Sequence, residues 1–510
     1  MINDNQNLAL SQLKTININF GTDGYRGIIA DNFTFEKVSL ISASFGSYLV
    51  RSHQDLHLPA VAVGYDTRFL SKEFALVCAK ALSNKGIKVV LSDGYCPSPV
   101  LSFTIKKRFL SAGVMITASH NPYMYNGIKF KSAYGSSMLF EDVKEIENIA
   151  NSSNDVVKDY GGNIGDIQFY NNANSNSGGN AQKNIIYADL KTGYIDHVIK
   201  FTGIDRIDSA LFKNLEVIID PMYGAGIGFI SSILDRFSIK NSCINNEVNP
   251  LFPGINPEPA EENLGKLIDL TKKKGEKNKF AVGFATDGDA DRIGAVDETG
   301  NFIDSHKIFT LLLNFLLEEG FSGEVVKTVS VSKSIDRICA KYKLKLHEVP
   351  VGFKNIARLM IQPGGNILIG GEESGGIGIT SHMPERDGIF NAIMLLKVML
   401  LRKKPLSKLI NGIFGHPYPY VYKRCDIYLD AGKKEKLIKD LKNGDFQLPF
   451  KENIALTNFM DGFKFEYKDN SWLLVRASGT EPLLRIYAES SDKDKTAFLI
   501  DRTISLIEKY

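Results

Sequence analysis

Short apolar runs alternate along most of this chain with stretches that are apolar on one side only. Residues 61–66 and 88–93 are predicted to be buried strands, and the helical pattern of residues 72–83 lies between them. A strand, a helix and a second strand in this order are typical of the βαβ unit of a mostly parallel sheet. The pattern therefore predicts an α/β fold.

Two further units repeat this alternation. Residues 215–220 and 280–285 are the predicted strands of the second unit, and residues 325–330 and 366–370 those of the third. In all three units a polar, chemically active loop follows the carboxyl end of a strand, which is where open α/β sheets bind their ligands. We therefore expect the functional groups on these loops.

The remaining segments set the expected domain boundaries. Residues 151–184 are polar and of low complexity, so we predict a surface insertion without chemistry. Two prolines within residues 415–419 predict a linker, and a smaller piece with strand patterns and a closing amphipathic helix follows. The expected domains are 1–185 (including the insertion), 186–302, 303–413 and 414–510.

The composition is that of an ordinary soluble protein with several domains. The chain has 510 residues, of which 44% are hydrophobic and 23% charged. A net charge of +3 gives no reason to expect nucleic acid or an anionic membrane as a partner. There is no apolar run of membrane-spanning length and no signal peptide pattern, and the five cysteines are widely spaced. We expect a cytoplasmic protein.

The loop after the strand at residues 112–116 carries a candidate nucleophile. Its sequence is Thr-Ala-Ser-His-Asn-Pro, and the hydroxyl of Ser119 is held at the end of a buried strand. His120 is adjacent and Lys129 is ten residues further on, so a proton-handling group and a cation are near. An ordinary strand-to-turn junction is the alternative interpretation, because Ser, Asn and Pro are common turn residues.

Two loops are suited to anions. Residues 20–27 place three glycines around Arg26, which allows close backbone approach beside a guanidinium. The second loop lies between Arg476 and Arg485, where backbone amides and hydroxyls could surround a phosphate. Plain turns are the alternative in both cases. The residues of the second loop are Ser478, Gly479 and Thr480.

Asp287, Asp289 and Asp291 alternate directly after a predicted strand. Three carboxylates this close would repel one another without a divalent cation, and oxygen-only ligands favour Mg²⁺ over Zn²⁺. A calcium loop of the EF-hand type needs glycine at its sixth position, where Arg292 stands. A phosphatase with an aspartate nucleophile also fits the pattern, but it leaves the Ser119 loop without a role. A solvated acidic loop is the remaining alternative.

Glu372 and Ser374 lie between glycines and offer a carboxylate and a hydroxyl to vicinal hydroxyls of a sugar. A glycine-rich turn with a solvated glutamate is the alternative. His382 and Arg386-Asp387-Gly388 follow and are expected to line the same pocket. A serine beside a metal-binding loop can carry a phosphoryl group, because that transfer depends mainly on positioning and charge neutralisation. A substrate with hydroxyls and a phosphate is therefore indicated.

Five loops, in this order, resemble the phosphohexomutase family, which comprises phosphoglucomutases and phosphomannomutases. They are Gly-Thr-Asp-Gly-Tyr-Arg-Gly, Thr-Ala-Ser-His-Asn-Pro, Asp-Gly-Asp-Ala-Asp-Arg, Gly-Glu-Glu-Ser-Gly-Gly and Arg-Ala-Ser-Gly-Thr-Glu-Pro. The region they cover extends from Phe20 to Glu489. The resemblance implies three similar mixed-sheet α/β domains and a smaller C-terminal α+β domain around one central cleft.

The resemblance also implies a mechanism and its residues. Ser119 would carry the phosphoryl group, pass it to a hexose phosphate, and recover the other phosphate from a bisphosphorylated intermediate such as glucose 1,6-bisphosphate. The implied Mg²⁺ ligands are Ser119, Asp287, Asp289 and Asp291. The implied groups near the transferring phosphate are Arg26, His120 and Lys129, with Lys129 a candidate for proton transfer. The implied substrate-binding residues are Arg292, Gly352, Glu372, Ser374, His382, Arg476, Ser478, Gly479, Thr480 and Arg485.

Some positions depart from the family pattern. Gly376 stands where many dual-specificity members have a histidine, and Phe353 where some members have one. Lys129 is then the candidate for proton transfer, with His382 as a weaker substitute. The Glu-Glu-Ser-Gly-Gly loop is similar to glucose-type members, so we expect glucose phosphates as substrates. Mannose phosphates or dual specificity are the alternative, and glucosamine phosphate ranks third because Ala290 replaces a glycine. A non-catalytic sugar-phosphate binder is the alternative from another functional class. We expect a monomer or a homodimer.

Overall fold

The computed structural model describes residues 17–21, 24–52, 59–152, 184–415, 419–477 and 483–509. These residues form four β-sheets, which follow one another along the chain. The predicted insertion at 151–184 lies almost entirely outside the described residues, as do Ser478, Gly479 and Thr480. Among the described residues, no helix is long and apolar enough to cross a membrane.

The first sheet has six strands in the order β1-β5-β4-β2-β3-β6. Its strands are β1 (Tyr25–Ile28), β2 (Ala60–Tyr65), β3 (Lys88–Ser92), β4 (Ala112–Ile116), β5 (Tyr125–Ser132) and β6 (Ile185–Ala188). Its helices are α1 (Phe35–Ser52), α2 (Ser71–Asn84), α3 (Ser98–Arg108) and α4 (Phe140–Ser152). Because β6 pairs in parallel with β3, this sheet ends at residue 188, slightly beyond the expected boundary at 185.

The second sheet has five strands in the order β11-β10-β9-β7-β8. Its strands are β7 (Glu216–Asp220), β8 (Lys240–Cys243), β9 (Ala281–Thr286), β10 (Ile293–Val296) and β11 (Phe302–Ile303). The helices of this part of the chain are α5 (Lys191–Thr202), α6 (Phe229–Asp235) and α7 (Gly265–Gly275).

The third sheet has four strands in the order β13-β12-β14-β15. Its strands are β12 (Glu324–Thr328), β13 (Leu346–Val349), β14 (Ile367–Gly371) and β15 (Ile377–Ile379). Its helices are α8 (Ser305–Glu318), α9 (Ser334–Tyr342), α10 (Phe353–Ile361), α11 (Gly388–Arg402) and α12 (Leu406–Phe414).

The first three sheets share one topology. In each, a central strand pairs in parallel with strands on both sides, and one of these neighbours also pairs with an antiparallel strand: β4 with β5, β9 with β10, and β14 with β15. The three connecting loops carry Ser119, the aspartate triplet and Glu372. In each domain the functional group therefore lies on the loop that joins a parallel strand to the antiparallel strand after it. This shared topology explains why all three loops follow a predicted strand in the sequence.

The fourth sheet is antiparallel and has five strands in the order β16-β20-β19-β18-β17. Two helices pack on one of its faces through a separate apolar core that includes Leu437 and Leu499. Its strands are β16 (Val421–Tyr428), β17 (Ile454–Asn458), β18 (Phe463–Tyr467), β19 (Trp472–Ala477) and β20 (Leu483–Ser490). Its helices are α13 (Ala431–Asn443) and α14 (Lys493–Ile507). This architecture confirms the predicted fold class.

Helix α5 connects the first three domains. It packs against α3 of the first domain, α6 of the second and α11 of the third. Its buried side chains, such as Tyr194 and Val198, belong to one apolar cluster that extends through all three domains. Because this cluster is continuous, the loops that the three sheets present are held in fixed relative positions.

Candidate active site

A buried arginine, Arg68, holds the backbone of the Ser119 loop in place. Arg68 donates hydrogen bonds to the carbonyl oxygens of Ser119 and Asn121, both at 2.6 Å, and Asp66 lies 3.3 Å from its Nε. The backbone N–H of Ser119 donates to Thr117 Oγ1 at 2.8 Å. Ser119 has a φ of 54°, a left-handed conformation that a side chain other than glycine keeps only when surrounding contacts stabilise it. The loop is therefore rigid and pre-formed.

The aspartate triplet lies in the tight turn between β9 and β10. All three side chains are fully buried, and one oxygen from each lies within 4.8 Å of the others. Asp287 Oδ1 accepts hydrogen bonds from the backbone N–H groups of residues 291 and 292, each at 3.0 Å. The turn thus folds around the first aspartate and directs all three carboxylates to one point.

The serine loop and the aspartate loop meet directly. Ser119 Oγ donates a hydrogen bond to Asp287 Oδ2 at 2.8 Å. Lys129 Nζ lies 3.0 Å from Asp289 Oδ2 and 4.0 Å from Asp291 Oδ2. Ser98, at the start of α3, donates from Oγ to Asp289 Oδ2 at 2.5 Å and from its backbone N–H to the Asp289 carbonyl at 2.9 Å. The first two domains therefore share one polar centre.

The three carboxylates do not have equal proton affinities. Burial, together with the charges of Asp291 and Asp289, raises the pKa of Asp287 well above its usual range. Burial also raises the pKa of Asp291, even though Arg386 counteracts it. Burial acts in the same direction on Asp289, but Lys129 and the Ser98 hydrogen bond outweigh it and hold the pKa of Asp289 below its usual range. Additional positive charge is needed to keep all three ionised.

Two oxygens of the triplet are available for a cation. Asp289 Oδ1 and Asp291 Oδ1 are buried and accept no hydrogen bond from any part of the chain that the structure describes. A buried carboxylate oxygen without a donor is costly unless a cation compensates it. Oxygen donors alone suit Mg²⁺, which binds proteins through few carboxylates and keeps several waters. The residues present therefore fit a magnesium ion.

Glu372 lies on the third loop, and Arg386 links its carboxylate to the aspartate triplet. Its Oε1 accepts a hydrogen bond from the backbone N–H of Gly352 at 3.0 Å, and its Oε2 lies 3.3 Å from Arg386 Nη1. Arg386 Nη2 lies 2.7 Å from Asp291 Oδ2. Burial raises the pKa of Glu372 to about 7, despite the nearby Arg386. Ser374, two residues after Glu372, is half-buried.

Arg386 also fills the space beside Gly376 and Phe353, the two positions that depart from the family pattern. A Cβ atom on Gly376 would lie 2.2 Å from Arg386 Cδ, and the Arg386 guanidinium lies 5.6 Å from the centre of the Phe353 ring. Arg386 therefore occupies the place that a larger side chain at residue 376 would take.

Three further predicted residues lie at the serine loop or at the aspartate that it contacts. His120 Nδ1 lies 3.4 Å from Ser119 Oγ, and Arg26 donates to Asn121 Oδ1 at 2.6 Å. Arg292 lies 3.1 Å from Glu258 Oε1 and 3.8 Å from Asp287 Oδ2. Burial and then the charges of Arg292 and Arg26 lower the pKa of His120 well below its usual range. His120 is therefore neutral at physiological pH.

The fourth domain contributes a cluster of arginines. Arg476 and Arg485 are directly paired across β19 and β20, and Asp461 and Asp426 lie 2.9 and 3.4 Å from their Nε atoms. The predicted phosphate loop joins these two strands. After burial and the charges of Arg292 and Arg26, the charge of Arg424 on β16 also lowers the pKa of His120.

The structure does not bring His382 to this centre. Its ring is buried, with Nε2 2.8 Å from Asp387 Oδ2 and Nδ1 3.0 Å from His197 Nε2. Both ring nitrogens are thus engaged on the far side of the loop, against α5. The pattern of residues around His382 could not reveal this, since its partner His197 is 185 positions away in sequence.

Sequence reasoning missed two supporting residues, Ser98 and Arg424. Each acts on a distant part of the chain, Ser98 on Asp289 and Arg424 on His120, so periodicity and local motifs could not identify them. Arg386 is expected at the site because it closely follows the glycine-rich loop. The position of Arg68 after a predicted strand suits an anion contact or a salt bridge, and the structure pairs it with Asp66 and the Ser119 carbonyl.

Sequence comparison identifies the family. Profiles of the phosphoglucomutase/phosphomannomutase family match four segments: alpha/beta/alpha domain I at residues 17–156, domain II at 192–300, domain III at 304–416, and the C-terminal domain at 433–505. The chain therefore belongs to the phosphoglucomutase/phosphomannomutase family, whose members are intramolecular phosphotransferases that depend on Mg²⁺.

Individual relatives carry different substrate names. A phosphoglucomutase/phosphomannomutase of Thermococcus kodakarensis is 30% identical over 490 residues, covering 96% of this chain and 98% of the relative. A probable phosphoglucosamine mutase of Methanosphaera stadtmanae is 30% identical over 482 residues, covering 94% and 96%. Family membership is therefore clear, while the names do not agree on one sugar.

Solved structures agree with the fold. A putative phosphomannomutase of Thermus thermophilus is 30% identical, with a TM-score of 0.78 over 96% of this chain and 99% of that one. An N-acetylphosphoglucosamine mutase of Aspergillus fumigatus, solved with GlcNAc-6P and magnesium, is 16% identical, with a TM-score of 0.52 over 96% and 95%. The second comparison bears on the fold alone.

Proposed function

We propose that this protein interconverts glucose 1-phosphate and glucose 6-phosphate through a phosphorylated Ser119. The observation that carries the proposal is the contact of Ser119 Oγ with Asp287 at 2.8 Å, inside a buried triplet of carboxylates. The transferred group would sit on this oxygen, where Lys129, Arg292 and His120 provide positive charge or hydrogen bonds. A bound Mg²⁺ would supply further neutralisation of the phosphoryl oxygens.

The proposed cycle has two balanced transfers. In the first, the bond between phosphorus and Ser119 Oγ breaks, a bond to a sugar hydroxyl oxygen forms, and the hydroxyl proton passes to a base. The bisphosphorylated sugar then turns over, and its other phosphate returns to Ser119 with the proton moving the opposite way. Lys129 and Glu372 are the proposed proton-handling groups, since His382 is turned away and the lowered pKa of His120 makes it a weak proton acceptor.

The remaining groups would bind the part of the substrate that does not react. Glu372 and Ser374 are proposed to bind sugar hydroxyls, with Gly352 holding the Glu372 carboxylate in place. Arg476 and Arg485, with Ser478, Gly479 and Thr480, are proposed to bind the second phosphate. A hexose phosphate fits the hydroxyl-binding residues and the phosphate-binding residues at once. It does so with its phosphate at either end of the sugar, so either end can be presented to Ser119.

Glucosamine phosphate is the second candidate substrate. The relative from Methanosphaera stadtmanae is named as a probable phosphoglucosamine mutase, and its identity to this chain equals that of the phosphoglucomutase/phosphomannomutase relative. Glucose is favoured because the Glu-Glu-Ser-Gly-Gly loop is similar to glucose-type members and because Ala290 replaces a glycine.

The test compares turnover of glucose 1-phosphate, mannose 1-phosphate and glucosamine 1-phosphate side by side, with Mg²⁺ and the matching 1,6-bisphosphate present. We expect the highest kcat/KM with the glucose compound. Equal rates with glucose and mannose phosphates, or faster turnover of the glucosamine compound, would reject the glucose assignment. No turnover of any of the three, with no phosphate gained by the protein, would indicate a sugar-phosphate binder.

A single added methyl group tests whether the two loops must touch. A Cβ on Gly288 would lie 2.3 Å from the Ser119 carbonyl oxygen, which is backbone and cannot rotate away. We expect Gly288→Ala to push the aspartate loop from the serine and lower kcat/KM by roughly 10²-fold, because displacements of about 1 Å misalign reacting groups. Gly265→Ala in the same domain is the control, since its Cβ meets nothing within 4 Å. A Gly288→Ala enzyme with parental turnover would show that this contact is not needed.

A further inference from the structure

Residues 382–388 form a segment that touches all three α/β domains, and we call it the bridging segment. Glu385 lies 2.5 Å from Lys131 of the first domain and accepts from Ser137 Oγ at 3.0 Å. Arg386 contacts Asp291 of the second domain and Glu372 of the third. Gly388 donates its backbone N–H to the Ala290 carbonyl at 3.2 Å. The segment therefore adjoins the aspartate loop with both a side chain and backbone.

The backbone at Asp387 makes neighbouring side chains point in opposite directions. Its φ of −150° and ψ of 96° are those of an extended chain, in which successive side chains alternate. Arg386 faces the carboxylates of Asp291 and Glu372, so Asp387 faces away from them, into the interior between α5 and α11. Whatever fixes the Asp387 carboxylate also fixes the direction of Arg386.

Three donors, in four close contacts, occupy both oxygens of that buried carboxylate. Tyr194 Oη lies 2.7 and 2.8 Å from its two oxygens, and the Phe390 backbone N–H donates to Oδ1 at 2.8 Å. His382 Nε2 lies 2.8 Å from Oδ2. With Nε2–H as the donor to Asp387, His382 Nδ1 accepts from His197 Nε2, 3.0 Å away. The donors therefore come from α5, from α11 and from the bridging segment itself.

Further contacts restrain His382 and the end of the bridging segment. The His382 ring stacks on Phe390 with centres 3.9 Å apart and planes at 6°. Lys106 of α3 donates to the His382 carbonyl at 3.3 Å. A Cβ on Gly388 would lie 2.3 Å from the Arg292 carbonyl oxygen, so the end of the segment has no room to shift toward the aspartate loop. The network is thus rigid on both sides of Arg386.

We propose that Tyr194, His382 and Asp387 are positioning residues that hold Arg386 between the metal-binding loop and the sugar-binding loop. They touch neither the metal nor the substrate and act through Arg386. Through that guanidinium they fix the distance between Asp291 and Glu372, and hence the spacing of metal and sugar hydroxyls. The activity part of this inference rests on the proposed function, whereas its Mg²⁺-binding part does not.

The experiment removes one hydrogen bond at a time from folded enzyme. Tyr194→Phe keeps the buried ring, which packs against Phe103 and Phe229, and removes only the hydroxyl. Asp387→Asn keeps the shape and removes the charge. His382→Gln keeps a donor near the Nε2 position, whereas His382→Ala removes it. The matched control is Tyr467→Phe, whose buried hydroxyl donates to the Pro449 carbonyl at 2.9 Å in the fourth domain.

The measurements are the Mg²⁺ dissociation constant by calorimetry, kcat and KM, and the Tm. We expect Tyr194→Phe, Asp387→Asn and His382→Ala to weaken Mg²⁺ binding and raise KM by roughly 10-fold, as loss of supporting partners around metal sites does. His382→Gln should restore most of the loss. Tyr467→Phe should lower the Tm alone, since it disturbs a core without contact to Arg386.

Several results would overturn the proposal. They are unchanged Mg²⁺ affinity and KM in folded Tyr194→Phe, an equal loss in Tyr467→Phe, and a wild-type protein that binds no Mg²⁺. If Asp387→Asn does not fold, Tyr194→Phe decides the matter. If the wild type turns over no hexose phosphate, the proposed function fails, and the calorimetric comparison still decides whether these residues position the metal-binding loop.

Discussion

Replacing Ser119 with alanine is expected to abolish phosphorylation of the protein and to lower hexose phosphate turnover by at least about 10⁴-fold. Ser119 is 1% exposed and its hydroxyl is held against Asp287, so no water can readily take its place as the acceptor of a phosphoryl group. Alanine fits the same backbone conformation about as well as serine, so the variant should fold. Intact mass after mixing with glucose 1,6-bisphosphate reports phosphorylation, and a coupled assay reports turnover.

Ser102→Ala is the matched control for this prediction. Ser102 lies on α3 in the same domain, and its buried Oγ has no hydrogen-bond partner among the described residues. Its removal should leave mass gain and turnover at parental levels. Release of free phosphate that persists in Ser119→Ala would instead favour a phosphatase with an aspartate nucleophile. Unchanged mutase turnover in that variant would reject the phosphoserine mechanism.

The sequence predicts the sheets well because their central strands are buried on both faces. Residues 112–116 form one continuous apolar run, and the observed strand β4 has the same bounds. A continuous apolar run indicates a strand that is buried on both faces, because a polar side chain there would lose its hydrogen bonds to water. Once the strands are placed, the polar loops at their carboxyl ends are placed as well. Ser119, Asp287 and Glu372 lie on these loops, so the sequence alone identifies them as candidates.

The contacts between these loops cannot be predicted in the same way. Ser119 and Asp287 are 168 residues apart, and no periodicity in either strand specifies that their two hairpins face each other. The structure supplies this through α5 and the shared apolar core of the three domains. A resemblance to a family can anticipate the pairing, but local physical chemistry alone cannot.

His382 and Arg386 illustrate the limit at single residues. Both residues lie downstream of the Glu372 loop, and the sequence predicts that both line the same pocket. The structure brings only Arg386 to the carboxylates, because the extended backbone at residue 387 sends Arg386 toward them and leaves His382 with the buried Asp387. Which neighbour faces inward depends on backbone direction, and no residue type encodes it.

Asp289→Asn is expected to produce the second large effect, weakening Mg²⁺ binding by roughly 10²-fold or more and reducing turnover with it. Asp289 is the one carboxylate of the triplet whose pKa lies below its usual range, so it contributes a full negative charge before any metal binds. Asparagine keeps the shape but removes that charge and leaves Lys129 without its nearest counter-ion, at 3.0 Å in the parent. Calorimetry with Mg²⁺ and the Mg²⁺ dependence of kcat measure both consequences.

Asp297→Asn separates this effect from the general cost of altering a buried aspartate. Asp297 lies in the same domain, is 2% exposed, and accepts hydrogen bonds from Thr299 and Asn301 rather than from the loop that carries the aspartate triplet. It should reduce stability while leaving Mg²⁺ affinity unchanged. If Asp289→Asn bound Mg²⁺ as tightly as the parent, the ion would not depend on this carboxylate. The three aspartates would then act as counter-ions for Lys129 and Arg386 rather than as metal ligands.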